Sequence, residues 1–499
     1  MRERTLGIAI VMIALAAIVH TWTIFSQTVD EPAHVAAGVE WLEAGQYVLD
    51  PQHPPFARIF LGVGPVLRGA TYVALPHWMF TGNAILYDNG AYLRTLASAR
   101  AGTLPFFVLA CVVVFVWTRK LYGASAGVIA LLLFATQPTV LAHAALATTD
   151  LAAAATITAS LYAFHLWLER PTLGRTTLLG LTAGVAIASK FSAIAFLPPA
   201  FLAMSLGTML PSLQTAPRDG EPPVPHPRQH LSAVSALAVA AVTVLAIYRF
   251  EPSGFTAGLE ALRGHNRGGH PAYLFGEVRR EGWWYYFPVA LWFKSTIPLL
   301  VAFALGSVVL LRKRAASWIP LLAAAAILIV AMTTRISIGV RHVLPLYPLL
   351  AMIAAYGVLQ LRRPYIVTLL AAQLGVFAFA HPDHLAYFNL SAGPEPAHIL
   401  LDSNLDWGQD LLRLEEASTR QGIESLHVAL FTSADLRRHR LPALLPLRPF
   451  VPVRGWVAIS EMQLEDVGAR GRPRGAYNWL RHYEPVERVG KSILLYRIP

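Results

Sequence analysis

Eleven stretches of the chain are long and apolar enough to cross a bilayer, at about 6–25, 97–117, 124–143, 149–168, 174–189, 191–210, 231–249, 285–311, 316–333, 343–361 and 364–380. That pattern leaves few folds open. Lipid offers no hydrogen-bond partner to the backbone, so each stretch must be a helix that satisfies its own N–H and C=O groups. Composition agrees: 55% of the 499 residues are hydrophobic and 14% charged, against roughly 25% charged in soluble domains. The run at 56–75 is broken by Arg58, Arg68 and glycines and reads as a surface-lying or juxtamembrane helix. The expectation is a polytopic α-helical membrane protein with about eleven transmembrane helices.

The net charge of +11 does not point to nucleic acid, because the basic residues punctuate the apolar runs instead of clustering among aromatics. Arg2/Arg4, Arg119/Lys120, Arg170/Arg175, Arg218/Arg228, Arg312/Lys313/Arg314 and Arg362/Arg363 all fall on one side if the helices alternate, and that side is expected to be cytoplasmic. The N-terminal run is long and is followed by no small-residue cleavage site, so a retained first helix with a cytoplasmic N-terminus is expected. The Pro-rich segment Pro211–His230 then becomes a cytoplasmic linker. The outer loops 26–96 and 250–284, the turn at Asp150, the segment Thr334–His342 and everything after 381 become extracytoplasmic. The single cysteine, Cys111, lies in an apolar run and supports neither a disulfide framework nor a thiolate metal site.

From His381 the character of the chain changes. Charge returns, and short strand-like runs (426–431, 456–460, 492–497) surround a helical stretch at 408–421. This divides the chain into a transmembrane domain, 1–380, and a small extracytoplasmic α/β domain, 381–499. The stretch Asp402-Ser-Asn-Leu-Asp-Trp-Gly-Gln-Asp410 begins like a calcium loop, but Trp407 and Arg413 stand where Gly and Glu are required. An acidic loop capping the helix at 408 is the better reading.

Charges near membrane depth are costly and are therefore functional candidates. The outer side collects Asp30, Glu31, His53, Asp150, Lys190, Arg249, His265, Arg267, His270, Lys294, Arg335, Arg341 and His342. A carboxylate base facing cations is the inventory for group transfer from a phosphate leaving group: the base takes an acceptor proton, and the cations hold the departing phosphate. No Gly-rich phosphate loop or dinucleotide fingerprint is present, which fits a donor drawn from the membrane.

Blander readings stand beside these. Asp30-Glu-Pro can simply start a helix, Asp150 can cap one, and Lys190 can snorkel to the interface. Arg335 and Arg341 can be ordinary loop charges. His265-Asn-Arg-Gly-Gly-His270 has no nearby carboxylate partners for a metal, so a divalent ion has no support. Tyr273 and Trp283-Trp-Tyr-Tyr286 read as an interfacial aromatic belt or as a sugar-stacking platform.

The chain resembles the lipid-carrier-dependent integral-membrane glycosyltransferases of glycosyltransferase family 39, which include protein O-mannosyltransferases and aminoarabinose transferases. The resemblance covers residues 1 to about 380. It is carried by Asp30-Glu31, His53-Pro-Pro-Phe56, Thr149-Asp150, Ser189-Lys190-Phe191 and Gly339-Val-Arg-His-Val-Leu-Pro345. It implies a GT-C type fold and transfer of a sugar from a polyprenyl phosphate to an acceptor hydroxyl on the outer face, with inversion. By position it makes Asp30 the catalytic base, with Glu31 beside it and Asp150 a second acid. His53, Lys190, Arg341 and His342 would bind donor phosphate, and His265, Arg267 and His270 would form a substrate loop. Aminoarabinose transferases carry a lysine before the Pro-Pro pair; here His53 stands there, and Arg341 is expected to take over the phosphate contact. No cofactor or metal is expected. The partners implied are the lipid-linked donor, an acceptor protein, lipid or glycan, and the bilayer of a bacterial inner membrane. The alternative is a transporter or flippase of lipid-linked sugars, which should place its polar residues at mid-membrane on broken helices; a degenerate relative serving as an assembly scaffold is a third reading.

Overall fold

A computed structural model describes residues 2–209, 228–313, 318–468 and 473–499. Residues 211–227 of the expected cytoplasmic linker and Arg314 of the basic runs lie outside the described residues. Each of the eleven apolar runs is helical. Five helices, Glu3–Thr21, Tyr92–Tyr122, Asp150–Glu169, His230–Ile247 and Arg363–Ala380, are long and apolar enough to cross a membrane. Two more candidate spans are bent pairs, Ala124–Ala135 with Pro138–Ala144 at 66° and Tyr286–Lys294 with Ile297–Arg312 at 119°. The remaining four runs are the shorter apolar helices Leu173–Ser189, Ser192–Thr208, Ile319–Ala331 and Leu346–Val358. Seven spans are therefore supported by length and apolarity, and the expected count of about eleven needs these four shorter helices as well.

Both bent pairs break where the sequence makes them. Pro138 and Pro298 cannot donate to a preceding turn, and Gln137 and Ser295 adopt extended backbone. Carbonyls freed at the second break are met by side chains from the first break and from Asn389. Gln137 Nε2 and Thr139 Oγ1 donate to Lys294 O at 3.1 and 2.6 Å, and Asn389 Nδ2 donates to Ser295 O at 3.0 Å. A broken helix survives in an apolar setting only when such partners are present.

The apolar faces of these helices share one large core, with Trp117, Phe107, Phe134 and Tyr347 fully buried. Against it lies the helix Pro55–Leu67, which crosses Glu31–Val39 through Gly62 and Gly38. A Cβ on Gly62 would stand 2.6 Å from Gly38 C and 2.8 Å from Val39 N, so only glycine allows this approach. A helix is thus present in the run at 56–75, shorter than that run and packed at the crossing. Arg58, one of the residues that break its apolar run, is fully buried.

After the helix Pro252–Gly268, β1 (Ala272–Leu274) and β2 (Glu277–Arg279) form an antiparallel hairpin. After Ala380 the chain builds a five-stranded sheet from β3 (Ser425–Ala429), β4 (Ala443–Pro446), β5 (Gly455–Ser460), β6 (Glu487–Val489) and β7 (Ile493–Ile498), in the order β4-β3-β5-β7-β6. β3 runs parallel to β4 and β5, and β7 is antiparallel to β5 and β6. The helix Leu411–Arg420 lays Leu411, Leu414 and Ala417 on one face of the sheet, against Leu426, Ala458 and Leu495. The three strand-like runs read from the sequence coincide with β3, β5 and β7. The capping role expected of the acidic loop is not what the structure shows. The helix begins at Leu411 with Asp410 at its cap position, but the Asp410 side chain accepts no backbone amide of the first turn and is paired there only with the Arg413 guanidinium at 3.2 Å. Asp410 instead accepts the Lys491 and Ser492 amides at 3.0 and 3.2 Å.

Candidate active site

A cavity of about 500 Å³ opens between the helix Glu31–Val39, the loop Asp50–His53, the start of Ser192–Met209, the end of Pro252–Gly268 and the segment 330–342. Asp30 stands on its wall at the position that caps Glu31–Val39, with Pro32 in the first turn, so the helix-start reading of this motif holds. Yet the Asp30 side chain makes no capping bond. Its carboxylate points elsewhere, accepting from Arg341 Nη1 at 2.9 Å, with 30% of the side chain exposed.

Arg341 sits in a single 3-10 turn, Val340–Val343, and is nearly buried. The same Nη1 is 3.8 Å from Asp150 Oδ2, and Lys190 Nζ lies 2.5 Å from Asp150 Oδ1. Asp150 is the first residue of Asp150–Glu169, and Lys190 follows the last residue of Leu173–Ser189. Three helix ends and one 3-10 turn therefore bring Asp30, Arg341, Asp150 and Lys190 into one chain of alternating charge. Lys190 does not snorkel outward, because its side chain is 9% exposed and its ammonium is used. Three buried polar atoms here lack a hydrogen-bond partner: Arg341 Nε, Asp150 Oδ2 and His342 Nε2. Buried polar groups are nearly always paired, so this convergence marks a place prepared for a polar ligand.

A second group reaches the cavity through His34, Asp50 and His53, with Arg58 buried behind them. Arg58 Nη2 lies 2.5 Å from Asp50 Oδ2, its Nε donates to His34 Nδ1 at 3.0 Å, and its Nη1 donates to Tyr47 OH at 2.9 Å. The His34 and His53 rings meet edge to face at 5.2 Å. Burial and then the Arg58 charge hold His34 well below the usual imidazole range and push His53 down to about 3. Burial works against ionisation of Asp50, but Arg58 and further hydrogen bonds outweigh it, and its carboxyl lies below its ordinary value. Burial, then Lys190 and Arg341, likewise keep His342 neutral. His53 and His342 thus reach the cavity as neutral hydrogen-bonding rings.

Of the substrate-loop residues, His265 and His270 line the cavity, their rings 5.4 Å apart, and His265 Nδ1 is 2.6 Å from Gln52 Nε2. Arg267 is exposed and is not on the wall. Glu31 is not on it either. Completely buried, it pairs with Arg100 at 2.8 Å and accepts the Thr28 and Ala147 amides. Lys294 is also held elsewhere, its Nζ donating to Leu385 O and Asn404 O at 2.8 and 2.6 Å. Arg249 stacks 4.1 Å over the Trp41 ring, outside the cavity. His34, Asp50 and Arg58 escaped the sequence reading, although a charge inside an apolar run was a signal for Arg58. Among the described residues no group of three or more His, Cys, Asp or Glu is arranged to hold a metal.

The chain was compared with known proteins. Residues 92–215, which carry Asp150 and Lys190, match the family model of dolichyl-phosphate-mannose-protein mannosyltransferases. No curated protein sequence matches the chain. Among solved structures it is similar to ArnT from Cupriavidus metallidurans bound to undecaprenyl phosphate, with a TM-score of 0.56 and 14% identity over 98% of this chain and 97% of that one. The apo state of that protein gives the same values. The archaeal oligosaccharyltransferase AglB from Archaeoglobus fulgidus, in complex with an inhibitory peptide and a dolichol-phosphate, is 15% identical with a TM-score of 0.47 over 76% of this chain and 54% of that one. The chain thus shares the GT-C fold of ArnT.

Proposed function

We propose that the protein transfers a sugar from a polyprenyl-phosphate donor to an acceptor hydroxyl, with Asp30 as general base. The observation that carries this reading is the Asp30–Arg341 pair on the cavity wall, backed by Asp150 and Lys190. The donor phosphate lies against Arg341 and Lys190, which offer charge-assisted hydrogen bonds. It shares Arg341 with the carboxylates already there. The acceptor oxygen attacks the anomeric carbon from the face opposite the phosphate. The new C–O bond forms, the bond to the phosphate oxygen breaks, the acceptor proton passes to Asp30, and the polyprenyl phosphate leaves with the electron pair. The product is inverted. Charge that grows on the leaving phosphate is stabilised by Arg341 and Lys190, while His53 and His342 offer neutral hydrogen bonds.

The same reading places the cavity on the extracytoplasmic face of a bacterial inner membrane, with residues 1–380 as the transferase unit and 381–499 as an outer domain. It takes a ligand such as the undecaprenyl phosphate of the ArnT structure as the model for the carrier. A transporter of lipid-linked sugars would draw on the two bent spans. The breaks in both are filled by this chain's own Gln137, Thr139 and Asn389, none of which lines the cavity, and this favours the enzyme.

The test is turnover of a panel of radiolabelled polyprenyl-phosphate sugars by wild type and Asp30→Asn in lipid nanodiscs. Asn keeps the shape and cannot take the proton, so turnover should fall about 10²–10⁴-fold with donor binding retained. Equal turnover by the two proteins would sink the mechanism. Binding without turnover by either would favour the transporter.

A further inference from the structure

The stretch Asp402–Asp410, set aside above as a calcium site, has another use. It comes from the C-terminal region and contacts Arg341 itself and Val29, the residue beside Asp30. The Trp407 ring, 1% exposed, lies beneath the Arg341 guanidinium, 4.3 Å from its centre. The backbone carbonyl of the same residue accepts the amide of Val29, next to Asp30, at 2.9 Å. Three residues earlier, Asn404 Oδ1 accepts the amide of Val340, next to Arg341, at 3.0 Å. Ser403 Oγ donates to Ile338 O at 2.9 Å. Arg341 and Asp30 are 311 residues apart in the chain, and among the described residues this loop bonds to the segments of both.

The contact on Arg341 has a chemical consequence. A guanidinium carries five donors in one plane and none on its faces. Stacking the Trp407 indole on one face fixes the plane without consuming a donor, and the ring quadrupole favours the charge. Nη1 is thereby held toward Asp30 and Asp150, while Nε stays buried without a protein partner. An arginine free to rotate would close on the buried Asp150 and withdraw from the cavity.

We propose that Trp407 is a positioning residue for Arg341, through which the C-terminal region sets the phosphate-binding geometry of the site. This rests on the reading of Arg341 as a phosphate contact. The test therefore measures affinity for a polyprenyl phosphate in nanodiscs, without turnover, in wild type, Trp407→Met, Trp407→Phe, Arg341→Gln and the double variant Trp407→Met with Arg341→Gln. Met fills most of the volume without an aromatic face, and Phe restores a face. Trp407→Met should bind about tenfold more weakly, with Phe recovering most of the loss. In the Arg341→Gln background the Met substitution should cost nothing further, because the residue it acts through is gone. A loss that adds undiminished to that of Arg341→Gln would mark Trp407 as packing only and overturn the proposal, as would unchanged binding by Trp407→Met. If Trp407→Met does not yield folded protein, the cycle is run with Phe, whose weaker quadrupole predicts a smaller loss that again vanishes without Arg341. Failure of wild type itself to bind a polyprenyl phosphate would refute the functional reading instead.

Discussion

Arg100 grips Glu31 through two hydrogen bonds in a fully buried setting, 2.8 Å from Nε to Oε1 and 2.9 Å from Nη2 to Oε2. The same guanidinium donates to the Phe25 and Ser26 carbonyls at 3.0 and 2.8 Å. Glu31 anchors the segment 25–31, and its neighbour Asp30 is the carboxylate left facing the cavity. Adjacent acids in the sequence have divided roles. Removing the charge from Glu31 strands Arg100, and an uncompensated buried charge costs about 3–5 kcal/mol. Glu31→Gln should therefore lower the melting temperature of the detergent-solubilised protein sharply, whereas Asp30→Asn should leave it little changed. Equal melting temperatures for Glu31→Gln and wild type would refute the anchoring role.

The crossing of Gly38 and Gly62 sets the position of the second group at the cavity, because Arg58 lies one turn before Gly62 and reaches His34 across the interface. Gly62→Ala inserts a methyl where backbone stands at 2.6 Å, and the helices must separate. Overpacking of this kind costs about 1–3 kcal/mol. The expected result is a lower melting temperature together with weaker binding of a polyprenyl phosphate. An alanine variant as stable as wild type would show that the helices are free to part.

His53 supplies a pH test. Its folded value of about 3, set by burial and then by Arg58, lies below the unfolded value of about 6.5. Between those values the unfolded chain takes up a proton that the folded chain refuses. Stability from the buried neutral ring is present above about pH 6.5 and is lost as pH falls toward 3. His53→Gln should thus lose less melting temperature than wild type on going from about pH 7 to about pH 4.5. Parallel losses would place the ring in solvent.

Much of this architecture was legible because apolar runs leave the backbone only one solution in lipid. Asp30, Asp150, Lys190 and Arg341, chosen for lying at outer helix ends, meet in one chain of contacts. The sequence could not separate Asp30 from Glu31, since the distinction is made by Arg100, far along the chain. Nor did it reveal His34 and Asp50, whose part depends on a guanidinium delivered by a neighbouring helix. Lys294 looked like the other outer cations, yet two carbonyls from beyond Ala380 claim its ammonium. Local spacing records which groups lie near a helix end. It does not record which partner arrives from elsewhere.

The stitching of the segment 25–31 to the Trp407 stretch also fixes when the Asp30–Arg341 arrangement can form. Ser26 Oγ donates to Gln409 O across 383 residues. A ribosome adding about 5–20 residues per second makes those two groups tens of seconds apart. For most of that interval Asp30 has been made while Arg341 has not, and the indole support of Arg341 follows later still. Until then the nascent chain carries a carboxylate without the guanidinium that it faces in the folded protein.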